Sequence, residues 1–249
     1  MGELIKAKLK ASGIHLGISI IIFIGILYLI LIEWYPEPFF TAEGGWKGIR
    51  LMALVDLVLG PTLTLIVFNH KKSKLEMGID LSIIAMVQIF ALIWGGYTVY
   101  SKRPIALAFY DYAFFTVTDD YYAAQGESRP DFSTLSGHVP PLVAVRMPKS
   151  DHEQSHFSKL TSKAIPIYAH AELYEPIINQ LDLMKKNQVD VEEIMHYNPR
   201  MKQDILAMTN NDVNSYVFMS LQAKFRNVII VISEKGEYVG MVKVHDREI

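Results

Sequence analysis

The pentapeptide His152-Glu153-Gln154-Ser155-His156 is where residue type and spacing most openly suggest chemistry. On a helix, two histidines one turn apart can bind one zinc ion while the intervening glutamate activates water. Taken alone, that pattern implies a zinc-dependent hydrolase using His152, Glu153 and His156. Its setting argues for something plainer. A catalytic helix of this kind lies between apolar neighbours, whereas Lys149-Ser150-Asp151, Ser158 and Lys159 surround this one. His170 and Glu172 are available as further ligands but sit in no recognisable ligand context. The stretch reads first as a solvated surface segment and second as a metal site. Glu193 and His196, three residues apart on a helical pattern, lack the carboxylate bundle such a pair needs and read as helix surface. No cysteine is present, which removes disulfides, thiolate metal sites and cysteine nucleophiles. No cofactor is implied by any motif.

A different kind of chemistry sits near the middle of an apolar run from Trp46 to Phe68, where Asp56 is followed by Gly60-Pro61 and Thr64. A carboxylate at bilayer depth costs a few kcal/mol on insertion scales, so it needs a partner, a proton or a function. The alternatives are a hydrogen bond that holds the bundle together, contact with a partner's transmembrane helix, or ion coupling. Ion coupling needs a path of several polar stations. Asp80 and Gln88 in the next apolar run, and His15 in the first, are the groups that could meet Asp56. Pro61 removes one backbone donor and should kink its helix, opening a groove. Gly95-Gly96 permits close approach of another backbone.

These side chains must be carried by membrane helices. The 249 residues are 51% hydrophobic with mean hydropathy +0.20, and the excess lies before about residue 100. Three runs, about 13–34, 48–69 and 78–100, exceed the roughly 20 residues that cross a bilayer core. The first offers no small-residue cleavage site at Glu33-Trp34-Tyr35-Pro36 and reads as a retained anchor. Lys6, Lys8 and Lys10 precede the first run, and Lys71, Lys72 and Lys74 separate the second from the third. The positive-inside rule then puts the N-terminus in the cytoplasm and the C-terminal part outside, in the periplasm of a Gram-negative cell. Trp34, Tyr35, Trp94, Tyr97 and Tyr100 form an aromatic belt at the outer ends.

Beyond Lys102 the pattern is that of a soluble domain. Strands are expected at Ile105–Tyr110, Phe114–Thr118 and Pro141–Arg146, with a closing hairpin of Asn227–Ser233 and Tyr238–Val244. Helices are expected at Tyr174–Lys186, Val191–Tyr197 and Pro199–Ala207. The fold class is therefore three N-terminal transmembrane helices, within 1–101, followed by a small α+β soluble domain, 102–249. Acidic and basic residues nearly balance, at a net charge of −2, and there is no basic stripe for nucleic acid. A sensor or transport subunit is a third reading, weakened by the small amount of chain facing inward.

Asp56-Leu57-Val58-Leu59-Gly60-Pro61-Thr62-Leu63-Thr64, the three spans, Lys102-Arg103-Pro104 leading into a strand, and Gly236 and Gly240 in the last hairpin together resemble the type IV pilin accessory proteins of the TfpX/TfpZ type. The resemblance covers the whole chain. It implies a non-enzymatic protein of the inner membrane that helps a cognate type IV pilin towards surface display, with that pilin and other pilus assembly proteins as its partners. It transfers no catalytic residue. On that expectation Asp56, Gly60, Pro61 and Thr64 are the partner-binding candidates, with the domain from Ile105 onward meeting the pilin head.

Overall fold

The computed structural model describes residues 2–69, 72–137, 139–161 and 165–244. Lys71, one of the lysines used for orientation, lies outside them. The chain divides into two units, one of residues 1–34 and 45–101, the other of 35–44 and 102–249.

The first unit is three helices long and apolar enough to span a membrane: α1 (Gly2–Trp34), α2 (Gly45–Val67) and α3 (Lys74–Ser101). Each starts before its apolar run. Lys6, Lys8 and Lys10 thus lie on α1 rather than ahead of it, and Lys8 Nζ donates to the Ile66 carbonyl at 3.1 Å. Helix α3 opens on a reciprocal cap. The Glu76 amide donates to Ser73 Oγ, and the Ser73 amide donates to the Glu76 carboxylate, satisfying two otherwise orphaned donors. Around Gly60-Pro61 the expected disturbance takes a definite form, a π-helical turn over Leu54–Leu59 with the Gly60 amide donating to Val55 O. Proline supplies no donor to the turn before it, and the helix widens there.

The second unit is a seven-stranded mixed sheet in the order β4-β3-β1-β2-β5-β6-β7, covered on both faces. Its strands are β1 (Pro104–Tyr110), β2 (Ala113–Thr118), β3 (Leu142–Val145), β4 (Tyr174–Pro176), β5 (Tyr216–Gln222), β6 (Val228–Ser233) and β7 (Tyr238–Lys243). Hairpin β1–β2 turns on Asp111 and Tyr112, both at positive φ (47° and 65°), as a two-residue turn matched to strand twist requires. β1 runs parallel to β3, and β2 parallel to β5. Helices α4 (Asp119–Gln125) and α5 (Asp151–Thr161) put Tyr122 and Phe157 into a core cluster with β1 and β3, and α6 (Leu181–Lys186) puts Leu181 and Met184 into the cluster that runs from β3 to β6. Helices α7 (Val191–Tyr197) and α8 (Pro199–Met208) pack on β5 and β6. Asp190 and Asn198 cap α7 and α8 through their side chains.

Three features differ from the sequence expectations. Tyr174–Pro176 is an edge strand and only Leu181–Lys186 is α-helical, because Pro176 cannot donate within a helix and interrupts one there. Strand β5 was not expected. The third is residues 35–44, which the sequence division places with the membrane part. Phe39, Phe40 and Ala42 are buried at 2%, 3% and 0% exposure, and Phe39 and Ala42 share a core with Leu107, Phe114 and Ile230. The Phe225 amide donates to Ala42 O at 3.2 Å. Glu37 accepts from the Thr41 hydroxyl at 2.6 Å and from its amide at 3.1 Å. Gly44 sits at φ +73° with Phe225 packed where a Cβ would be, so a side chain there would be both strained and obstructed. The α1–α2 connection and the C-terminal domain therefore share one side of the membrane.

Candidate partner-binding site

The polar residues of the membrane unit converge. A cavity of about 470 Å³ is lined by side chains of all three helices, among them His15 and Ser19 of α1, Asp56 and Thr64 of α2, and Gln88 of α3. His15 Nδ1 and Thr64 Oγ1 are 2.6 Å apart, and Ser12 Oγ donates to the Pro61 carbonyl at 2.9 Å. Gly60, Pro61 and Thr64 are buried against their neighbours. At Gly60 the reason for glycine is steric. A Cβ would run into the Gln88 amide and approach His15 Nε2 to 3.0 Å, so its absence lets α3 and α1 close on α2 at this level. Asp56 is half-buried and, among the described residues, forms no hydrogen bond. A carboxylate without a donor, on a wall that is otherwise mostly apolar, is the chemical feature of this unit.

Of the sequence-derived candidates, Asp56 and Thr64 line this cavity, while Gly60 and Pro61 are buried beside it without lining it. Gln88 and His15 do meet Asp56 in one cavity. Asp80 does not; it pairs with Lys72 at the end of α3. Ser12 and Ser19 went unremarked in sequence. Their signal was a helical spacing that puts both on the face of His15.

The other motifs have structural work. Ser150 Oγ accepts the Glu153 amide at 3.2 Å, so the apparent metal motif is the first turn of α5 beginning at its cap. The Glu153 carboxylate holds both Arg146 nitrogens, at 3.0 and 3.2 Å, and accepts the Lys149 amide at 2.7 Å. These donors lower its pKa to about 2, the Arg146 hydrogen bond foremost. His152 and His156 are exposed, while His170 is buried against Phe157 with ring centroids 5.0 Å apart, and burial lowers its pKa. Among the described residues no three His, Cys, Asp or Glu side chains come together as a metal would require. Glu193 and His196 are exposed on α7.

A pH prediction follows from Glu153. Its folded pKa lies below the 4.5 of an unperturbed glutamate, so its stabilising contribution is complete above pH 4.5 and gone below about 2. Thermal unfolding of the full chain should show Glu153→Gln melting lower at neutral pH and the two curves converging as pH approaches 2. A constant gap down to that pH would show that Glu153 acts other than through its charge.

Among curated proteins, a fimbrial assembly protein of Dichelobacter nodosus, serogroups C1 and C2, is 38% identical over 100 residues, 40% of this chain and 76% of that protein. The chain belongs to the fimbrial assembly proteins. The serogroup E1 and serogroup I fimbrial assembly proteins of the same organism are each 27% identical over 199 residues, 79% of this chain and 77% of each relative. The family model of the fimbrial assembly protein FimB matches residues 3–44, which are α1 and the segment that enters the core of the C-terminal domain. No solved structure matches. The chain is thus a multi-pass membrane protein of fimbrial assembly with a soluble C-terminal domain.

Proposed function

We propose that this protein is a non-enzymatic accessory of the TfpX/TfpZ type that assists assembly and surface display of a cognate type IV pilin. The observation that carries the reading is Asp56: a half-buried carboxylate with no hydrogen bond among the described residues, in a cavity open between the membrane helices of a fimbrial assembly protein. A pilin held in the bilayer by one helix, with its head outside, offers contacts at both levels. The cavity receives the helix, with Asp56 as the contact and Gly60, Pro61 and Thr64 shaping the wall. The domain of 102–249, completed by 35–44, meets the head. Lys6, Lys8, Lys10, Lys72 and Lys74 favour a cytoplasmic N-terminus, which makes the domain periplasmic and the membrane the inner one. The engagement of Glu153 by Arg146 and Lys149 supports a role without hydrolysis.

Asp56→Ala should insert and fold while reducing pilin co-purification. A hydrogen bond to a charged group contributes about 1.5–3 kcal/mol, so the loss should be roughly tenfold or more. Surface pili should fall with it. Normal piliation and unchanged pilin capture in a variant that inserts normally would remove Asp56 from the mechanism.

A further inference from the structure

The cavity has a second property that Asp56 alone does not explain. On α1 the residues lining it include Ala11, His15, Ile18 and Ile22, and on α3 they include Leu81, Ala85, Gln88 and Leu92. Both sets are spaced four, three and four residues apart, the repeat by which one helix presents a seam to another. Two such seams line a single cavity, with α2 contributing Asp56 and Thr64. The seam from Ala11 to Ile22 runs about 16 Å at 1.5 Å per residue, around half the hydrocarbon thickness. The cavity is open, since Ile14 and Ile18 remain 57% and 55% exposed, and no residue of α3 is buried.

We infer that this groove between α1 and α3 seats one further transmembrane helix, from a partner protein. Its inward stripe is apolar and carries one hydrogen-bond donor, a hydroxyl, amide or ammonium, level with Asp56. This deepens the reading above and rests on the partner being a membrane-anchored pilin. The volume suits the side chains of one helix face interdigitating with two seams. Lipid tails offer Asp56 no hydrogen-bond donor, and a carboxylate without one at that depth is unfavourable. The outward stripe of α3 is apolar through Ile83, Val87 and Phe90 and then reaches Trp94, whose indole N–H is a donor, so a second copy of this chain is the competing occupant that the crosslinks below separate.

The absence of cysteine makes the test direct. Single cysteines at Ile18, Ile22, Ala85 and Leu92, and at the outward positions Ile21, Val87 and Phe90, are paired in membranes with single cysteines along the pilin's membrane helix and oxidised. Crosslinks to pilin should form from the first set, at pilin positions repeating every three to four residues, and be lost from the second. Crosslinks chiefly from the outward positions, with pilin still co-purifying, would overturn the groove and leave the pilin-handling role intact. No co-purification of pilin with any variant or with the unaltered chain would overturn that role itself. Groove crosslinks joining two copies of this chain would make the seam a self-interface and overturn the partner helix.

Discussion

Phe39→Ala should destabilise the C-terminal domain by about 3–5 kcal/mol, the usual loss when a fully buried aromatic becomes a cavity. Phe39 is 2% exposed and packs in the core that joins β1, β2, β3, β5 and β6, although in sequence it lies in the connection between two membrane helices. Thermal unfolding and limited proteolysis of the full chain in detergent measure the effect. The C-terminal domain should become protease-sensitive at a temperature where the unaltered chain resists, while the membrane helices stay intact. An unchanged melting temperature would mean that residues 35–44 are not part of that core. The consequence for assembly is physical. The C-terminal domain has no complete core without residues 35–44, so its folding depends on the segment that directly follows α1.

Gly60→Leu is the second large effect expected, and it acts in the bilayer. The Gln88 amide and the His15 ring occupy the space a side chain would fill, and forcing extra methylenes into a packed site costs about 1–3 kcal/mol. The displaced groups are those that line the cavity, so the substitution should open the α2–α3 contact and abolish pilin capture together. A lower melting temperature of the membrane helices in detergent would report the opening. Gly60→Ala should show a smaller change in the same direction. An unchanged melting temperature together with retained pilin capture in Gly60→Leu would mean that this approach is not what holds the helices together.

Much of the architecture is local, and local features were legible. The three spans follow from run length and apolarity, and α7 from its Asp190 cap and period. The β1–β2 and β6–β7 hairpins follow from alternation broken by turn residues. Strand β5 was missed because Tyr216-Val217-Phe218-Met219-Ser220-Leu221 is buried at four consecutive or near-consecutive positions and shows no clean two-residue alternation. The metal-like motif misleads for a related reason: Ser150-x-x-Glu153 is equally a helix cap, and only Arg146 packed beside it decides between the two.

What the sequence by itself determined is therefore the set of membrane helices, most of the strands and the presence of an acid among hydrocarbon. Each depends on residues close together in the chain. Tertiary structure alone decided where Phe39 and Phe40 go, and that His15, Asp56 and Gln88 share one cavity while Asp80 does not. It also decided that strands far apart in sequence lie side by side. Those outcomes depend on contacts between segments far apart in the chain, as the Ala42–Phe225 hydrogen bond illustrates, and no local periodicity encodes such a pairing.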